Sequence, residues 1–123
     1  MSFSAPQKGR YLAIECLSTQ RPDDVVAIAE LYVQDPSGKR ISREAWTVRY
    51  ADSENADRNH LGDKVFDLQE STYWSTIKGE KCPHLLVIDL GSEQTISALE
   101  YLPRAEEGAP GSVKDYRIYV INK

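Results

Sequence analysis

The stretch HLLVIDLGSEQTISALEYL, His84 to Leu102, contains two apolar segments separated by a short polar one. The segments HLLVIDL and TISALEYL are rich in β-branched and aliphatic residues, which favours strands. The intervening LGS has the glycine and serine that are typical of turns. This part of the sequence therefore predicts two strands joined by a turn.

Four other segments have the same character: RYLAIECL, VVAIAELYV, EAWTVRY and YRIYVI. Turn-forming residues separate several of these segments, in QRPDD, DPSGK and EEGAPGS. In YRIYVI, alternation directs Tyr116, Ile118 and Val120 to one face of a sheet and Arg117, Tyr119 and Ile121 to the other. Short alternating strands without a convincing helix predict an all-β fold, an antiparallel sandwich or barrel. At 123 residues, the chain is long enough for one domain, which we expect to span residues 1–123.

Charge and hydropathy exclude several classes of partner. The net charge of −4 provides no basic field for nucleic acid or for an anionic lipid surface. The apolar run LLVIDL is far too short to cross a bilayer, and the start MSFSAPQKGR lacks the apolar region of a secretory signal. We therefore expect neither a nucleic-acid partner nor a membrane partner.

Motifs of catalysis are absent from the sequence, including the GxSxG, HExxH and phosphate-loop patterns. His60 and His84 have no recognisable spacing, and each is more typical of a solvated or capping histidine. Cys16 and Cys82 are too distant in sequence for a metal pair and too few for a disulfide framework. We therefore predict a protein that is not an enzyme and has no catalytic residues.

The segment KVFDLQESTYW, Lys64 to Trp74, combines carboxylates, hydroxyls and two aromatic residues. It follows the long polar stretch ADSENADRNHLGD, and irregular regions of that length are often functional. From the residues alone, KVFDLQESTYW is a cation-binding loop, a platform for stacking a sugar, or a turn between strands.

Four motifs together resemble a known family: WTVRYADSE, KVFDLQESTYWST, HLLVIDLGSEQTISALEYLPR and VKDYRIYV. In this order and spacing they are similar to the discoidin domain, also called the coagulation factor 5/8 type C domain. Its bacterial form is the galactose-binding-like, family 32-like carbohydrate-binding module of glycoside hydrolases. The resemblance extends from Trp46 to Val120 and implies an antiparallel β-sandwich of the jelly-roll type.

The N-terminal third resembles the same family in an unexpected order. GRYLAIECLSTQRPDDVVAIAELYV is similar to the segment that normally ends such a domain. Either the chain is circularly permuted, or it runs from the end of one module into the next. We favour permutation, because the termini of a sandwich domain often lie close together.

The resemblance also implies a structural calcium ion as cofactor. The implied ligands are the carbonyls of Ala29 and Lys64, the carboxylates of Glu30 and Asp67, Gln69, and Thr72. Leu68 and Gln69 replace the glycine and aspartate that are usual in the family. The alternative is a simple β-turn in which Asp67 bonds local backbone amides.

For sugar binding, the resemblance points to Glu54 and Arg104. Tyr73 is the candidate aromatic ring, whereas the neighbouring Trp74 is expected in the core. Many sugar-binding relatives have histidine at the position of Ser75, and His60 in the long loop is the candidate replacement.

Together these features predict a non-catalytic accessory module of a secreted bacterial glycoside hydrolase, such as a β-N-acetylhexosaminidase. Its expected partners are a glycan, with terminal galactose-type or N-acetylhexosamine sugars, and the catalytic domain of the parent enzyme. Its expected location is extracytoplasmic, as part of a larger exported protein, with no signal peptide in this chain. The alternative is a structural or protein-interaction module that has lost sugar binding.

Overall fold

Strands dominate the computed structural model, which describes residues 2–19, 25–67, 69, 71–77, 79–102 and 113–122. The seven strands in these ranges are β1 (Ser2–Thr19), β2 (Ala27–Ile28), β3 (Glu30–Gln34), β4 (Thr47–Ala51), β5 (Trp74–Ser75), β6 (His84–Leu102) and β7 (Val113–Ile121). Two short 3-10 helices, Ala56–Arg58 and Gly62–Phe66, lie between β4 and β5. The predicted all-β class is confirmed. No helix in the described ranges has the length and apolar character needed to cross a membrane.

Two antiparallel sheets organise the strands. The larger sheet has five strands in the order β3-β6-β1-β7, and β4 also pairs with β6. The first half of β6 pairs with β4 and the second half pairs with β3. The smaller sheet joins β2 to β5 through the pairs Ala27–Ser75 and Ile28–Trp74. This arrangement agrees with an antiparallel β-sandwich.

The predicted turn at LGS is instead part of a continuous strand. Gly91 has φ 87° inside β6, and the register of β6 against β1 shifts between the pairs Gly9–Gln94 and Tyr11–Asp89. A Cβ at Gly91 would lie 2.7 Å from the Cβ of Ala45. A β-bulge uses a positive-φ glycine as readily as a turn does, so the glycine bends β6 without ending it.

The predicted strand VVAIAELYV is divided at Ala29, which forms a bend between β2 and β3. The backbone N–H of Ala29 still donates to the carbonyl of Leu102, at 2.9 Å. Because of this bend, β2 joins the smaller sheet while β3 joins the larger one. The break brings Glu30, the first residue of β3, to the end of the sandwich beside the second 3-10 helix.

The core lies between the two sheets. Alternate residues of β1, including Leu12 and Cys16, are fully buried, and Trp74 of β5 is also 0% exposed. The Trp74 indole donates to the carbonyl of Ser53 at 2.9 Å, so the prediction that this residue belongs to the core is confirmed. Ile118 and Val120 of β7 pack against the same cluster, as the alternation in YRIYVI predicts.

Two titratable side chains are buried beside this core. Burial raises the pKa of the Cys16 thiol to about 12, with smaller contributions from Cys82, Asp52 and Glu15. His84 is 1% exposed, so it is not a solvated histidine, and its Nε2 lies 3.2 Å from the carbonyl of Glu80. Its Nδ1 lies 2.9 Å from the Asp52 carboxylate. The side chains of Cys16 and His84 are therefore part of the packed interior.

Candidate functional site

Two carboxylates from distant parts of the chain meet at one end of the sandwich. Glu30 begins β3, and Asp67 follows the last residue of the second 3-10 helix. The Glu30 side chain is fully buried, yet its Oε2 atom has no hydrogen-bond partner. Burial raises the pKa of the Glu30 carboxyl, contacts with Arg43 oppose the rise, and the charge of nearby Asp67 adds to it. An unpartnered buried carboxylate oxygen near a second carboxylate fits a cation that takes oxygen ligands.

Asp67 organises the loop that follows it. Its Oδ1 accepts a hydrogen bond from the backbone N–H of Gln69 at 3.0 Å, and its Oδ2 accepts one from the Thr72 hydroxyl. The same hydroxyl also lies 3.1 Å from the Gln69 carbonyl. The local turn that was the alternative interpretation of Asp67 is therefore present. It also gathers Asp67, Gln69 and Thr72, three of the six predicted calcium ligands.

Ala29 and Lys64 are predicted ligands that lie outside the Asp67 loop. Ala29 is a buried residue in the bend before β3. Lys64 is in the second 3-10 helix, and its Nζ is 3.8 Å from Asp63 of the same helix. The described residues contain no cluster of three or more His, Cys, Asp or Glu side chains suited to a metal. A calcium site here would therefore depend on carbonyl and hydroxyl oxygens as well as on two carboxylates.

Sequence reasoning did not identify Arg43. This side chain is 9% exposed, and its Nη1 donates to Glu30 Oε1 at 2.9 Å. Arg40 and Arg43 are three positions apart, and neither lies in one of the family motifs. Only the folded arrangement distinguishes the buried arginine from Arg40, whose side chain is 55% exposed.

Four of the five predicted sugar-binding residues lie in one region. The rings of His60 and Tyr73 are stacked, with centroids 4.1 Å apart and planes at 19°. The backbone N–H of Ser75 donates to the carbonyl of His60, and the N–H of Asn55 donates to the carbonyl of Ser75. Glu54 immediately precedes Asn55, so these backbone bonds bring Glu54, His60, Tyr73 and Ser75 together. Arg104 lies outside the described residues.

The Glu54 side chain contributes to an open cleft. Its Oε2 accepts a hydrogen bond from the backbone N–H of Gly62 at 2.7 Å, which fixes the carboxylate. Trp46 and Phe66 line the same cleft, with their rings edge-to-face at 5.8 Å. Trp46 and Phe66 were not among the predicted sugar-binding residues, although both lie in family motifs.

Ser75 is less accessible than Glu54, His60 and Tyr73. It is 6% exposed, and its hydroxyl donates to the carbonyl of Thr76 at 3.2 Å. Its main visible role is in the pairing of β5 with β2. His60, the candidate replacement for a histidine at this position, lies close by, because its carbonyl accepts the Ser75 backbone N–H at 3.2 Å.

The protein-family model for the F5/8 type C domain matches residues 49–123, which is more than half of the chain. No curated protein matches the chain. The matched part contains Asp67 and its loop, and it contains all of β5, β6 and β7. Glu30 and Arg43 lie in the part that precedes the match. By this match the chain belongs to the family of F5/8 type C domains.

Proposed function

We propose that this chain is a non-catalytic carbohydrate-binding module with a structural calcium ion, and that it forms part of a larger glycan-degrading enzyme. Domains of its family bind carbohydrates or proteins and are generally non-catalytic. The proposal goes further in naming a sugar as the ligand and a calcium ion as the cofactor.

The observation that supports a sugar ligand is the convergence of Glu54, His60, Tyr73 and Ser75 at one end of the sandwich. A hydroxylated ring requires a few fixed polar groups and an aromatic or apolar surface. The Glu54 carboxylate is fixed by Gly62, and it faces a cleft that Phe66 also lines. Such a site suits weak binding of a terminal galactose-type or N-acetylhexosamine sugar.

The unpartnered Oε2 of Glu30 supports the proposed calcium site. The carboxylates of Glu30 and Asp67 would hold the ion, together with the carbonyls of Ala29 and Lys64, Gln69, and the Thr72 hydroxyl. A bound calcium ion would supply the positive charge that two neighbouring carboxylates need. Its role would be to join β3 to the Asp67 loop, next to the region of the sugar-binding residues.

The proposed parent is an exported glycoside hydrolase such as a β-N-acetylhexosaminidase. In that setting the module would hold the catalytic domain near its glycan, outside the cytoplasm. These details rest on the resemblance of the sequence motifs to the bacterial carbohydrate-binding form of the family.

The test is an NMR titration of the chain with galactose, N-acetylgalactosamine and N-acetylglucosamine. We expect saturable shifts at millimolar concentrations for amides near Glu54 and Arg104. The variant E54Q should lose the shifts, because a neutral amide is a weaker acceptor for a sugar hydroxyl. D57N is the matched control, since Asp57 is an exposed acid in the adjacent 3-10 helix and its replacement should leave the titration unchanged.

The second candidate is a structural or protein-interaction module that has lost sugar binding. The burial of Ser75 favours it, as does the stacking of His60 on Tyr73, because each ring covers a face of the other. No shift with any of the three sugars, and no binding on a broad glycan array, would reject the carbohydrate proposal in favour of this one.

A further inference from the structure

Arg43 connects β3 to the second 3-10 helix. From the loop between β3 and β4, its Nη1 donates to Glu30 Oε1 at 2.9 Å, to the carbonyl of Leu31 at 3.1 Å and to the carbonyl of Val65 at 3.3 Å. Leu31 belongs to β3, whereas Val65 belongs to the second 3-10 helix. One guanidinium therefore joins the strand that carries Glu30 to the helix that precedes Asp67.

The guanidinium is also held from the side. Its Cζ atom lies 4.4 Å from the centre of the Tyr32 ring, within the range of a cation–π contact. With the side chain 9% exposed, little water reaches these contacts. The position of the positive charge is thus set by a carboxylate, two carbonyls and an aromatic face.

The charges at this end of the sandwich give Arg43 a specific effect. Glu30 and Asp67 contribute two negative charges, and Arg43 contributes one positive charge. Arg43 donates to the Oε1 atom of Glu30, whereas the Oε2 atom of the same carboxylate has no partner. Removing the cation that pairs with a buried carboxylate strongly destabilises the folded protein. The guanidinium compensates Glu30 without a metal, but it also repels any second cation that binds the same carboxylate.

We propose that Arg43 is a permanent counter-charge of this site, which keeps the domain folded when no metal is bound and lowers the affinity for a divalent cation at Glu30 and Asp67. The second half of this proposal rests on the proposed calcium site, whereas the first half does not. The ligand set implied by the family resemblance contains no arginine, so this role of Arg43 is inferred from the structure alone.

The test compares the variants R43M, R43K and R40M with the natural chain. R43M removes the charge and keeps much of the aliphatic side chain, and R43K keeps the charge. R40M is the matched control, because Arg40 also lies over Tyr32, at 3.9 Å, but pairs with Glu100 rather than with Glu30. Calcium chloride alone is titrated by calorimetry at pH 7.5, and melting temperatures are measured in chelator and in calcium.

In R43M we expect the calcium dissociation constant to fall about tenfold or more, because a neighbouring positive charge has been removed. R40M should stay within about twofold of the natural chain, and R43K, which keeps the charge but loses the planar group of donors, should lie closer to the natural chain than R43M does. In chelator, R43M should melt well below R40M, and calcium should recover most of the difference. If R43M is folded only in calcium, that dependence itself supports the proposal.

Equal calcium affinity in R43M and the natural chain would overturn the role of Arg43 in setting affinity while leaving the calcium site in place. Absence of calcium binding by all the folded proteins would reject the calcium site and the affinity claim together. A melting temperature of R43M in chelator equal to that of R40M would reject the claim about metal-free folding. The sugar titration above is independent of all three results.

Discussion

Glu30 is the buried carboxylate on which the proposed calcium site depends. Burying a carboxylate is costly unless its oxygens have partners. Here Arg43 satisfies Oε1, while Oε2 remains unpartnered and Asp67 lies close enough to raise the Glu30 pKa. The two carboxylates come from segments that are 37 positions apart in sequence, 67 minus 30. The proposed calcium ion would be shared between these two carboxylates.

The calcium proposal predicts that a chelator will lower the melting temperature of the natural chain. At a free calcium concentration of a hundred times Kd, a ligand that binds only the native state adds about 2.7 kcal/mol of stability. For a domain of this size that corresponds to a shift of roughly 10 °C. Differential scanning calorimetry with and without chelator measures it.

D67N should abolish this calcium-dependent shift, because it removes one of the two carboxylates. D63N is the matched control: Asp63 lies in the neighbouring second 3-10 helix, its side chain is 54% exposed, and its Oδ1 is 3.8 Å from the Nζ of Lys64. A calcium-dependent shift that survives in D67N would contradict the assignment of the ligand.

At the scale of elements, an ion pair fastens the loop after β3 to the centre of the sheet. Arg40 donates from Nε and Nη2 to the two oxygens of Glu100 on β6, at 2.8 and 3.0 Å. The hydrogen bond to Arg40, followed by one to Gln34, lowers the pKa of the Glu100 carboxyl from 4.5 to about 2. The pair is partly exposed, so its contribution to stability is small.

The lowered pKa predicts a defined dependence of stability on pH. Because the unfolded carboxyl takes up its proton first, the pair stabilises the native state above about pH 4.5, and this contribution disappears as pH falls towards 2. R40M should therefore lose less stability over this interval than the natural chain, by less than about 1 kcal/mol for an exposed pair. Urea unfolding at pH 5, 4, 3 and 2 measures the difference.

The control for this prediction is a double-mutant cycle. E100Q should flatten the acid dependence as R40M does, and the double variant should add nothing further. Parallel acid profiles for R40M and the natural chain would show that the pair does not lower the Glu100 pKa.

The strands were largely predictable from the sequence, because alternation and β-branched composition are local properties. The residues at which these strands end could not be predicted in the same way. The glycine of LGS signals a turn, yet the pairing of β6 with β1 continues on both sides of it, and only that pairing distinguishes a bulge from a turn. The break at Ala29 has a similar cause, since the residues on both sides are buried but belong to different sheets.

The candidate site was predictable only where a family motif marked it. The resemblance identified Glu30, Asp67 and Thr72, which do converge. Arg43 lies in none of these motifs, and Trp46 begins the motif WTVRYADSE without a predicted role in the site. The burial of one arginine and the position of one indole depend on contacts between distant segments. Hydropathy and spacing contain no information about those contacts.

For the whole molecule, the N-terminal strand is an internal part of the sheet. β1 lies between β6 and β7, so that Leu12, for example, pairs with Ile88 on one side and with Val120 on the other. β3 pairs with the second half of β6 and supplies Glu30 to the Asp67 loop. All these contacts occur within one chain. They favour circular permutation over a chain that runs from the end of one module into the next.

Permutation predicts that residues 49–123, the part that the family model matches, will not fold alone. Without β1, the strand β7 loses the partner with which it pairs in the large sheet, and the core loses the fully buried Leu12 and Cys16. Each large buried side chain removed from a core costs about 2–5 kcal/mol, and the total stability of a domain is only about 5–15 kcal/mol.

We expect the fragment to show poor amide dispersion by NMR and no cooperative thermal transition, whereas the full chain should show a dispersed spectrum and a cooperative transition. Adding a peptide of residues 1–48 should restore the dispersed spectrum, because that peptide supplies β1 and β3 to the same sheet. A fragment 49–123 that melts cooperatively near the temperature of the full chain would instead assign the N-terminal third to a separate module.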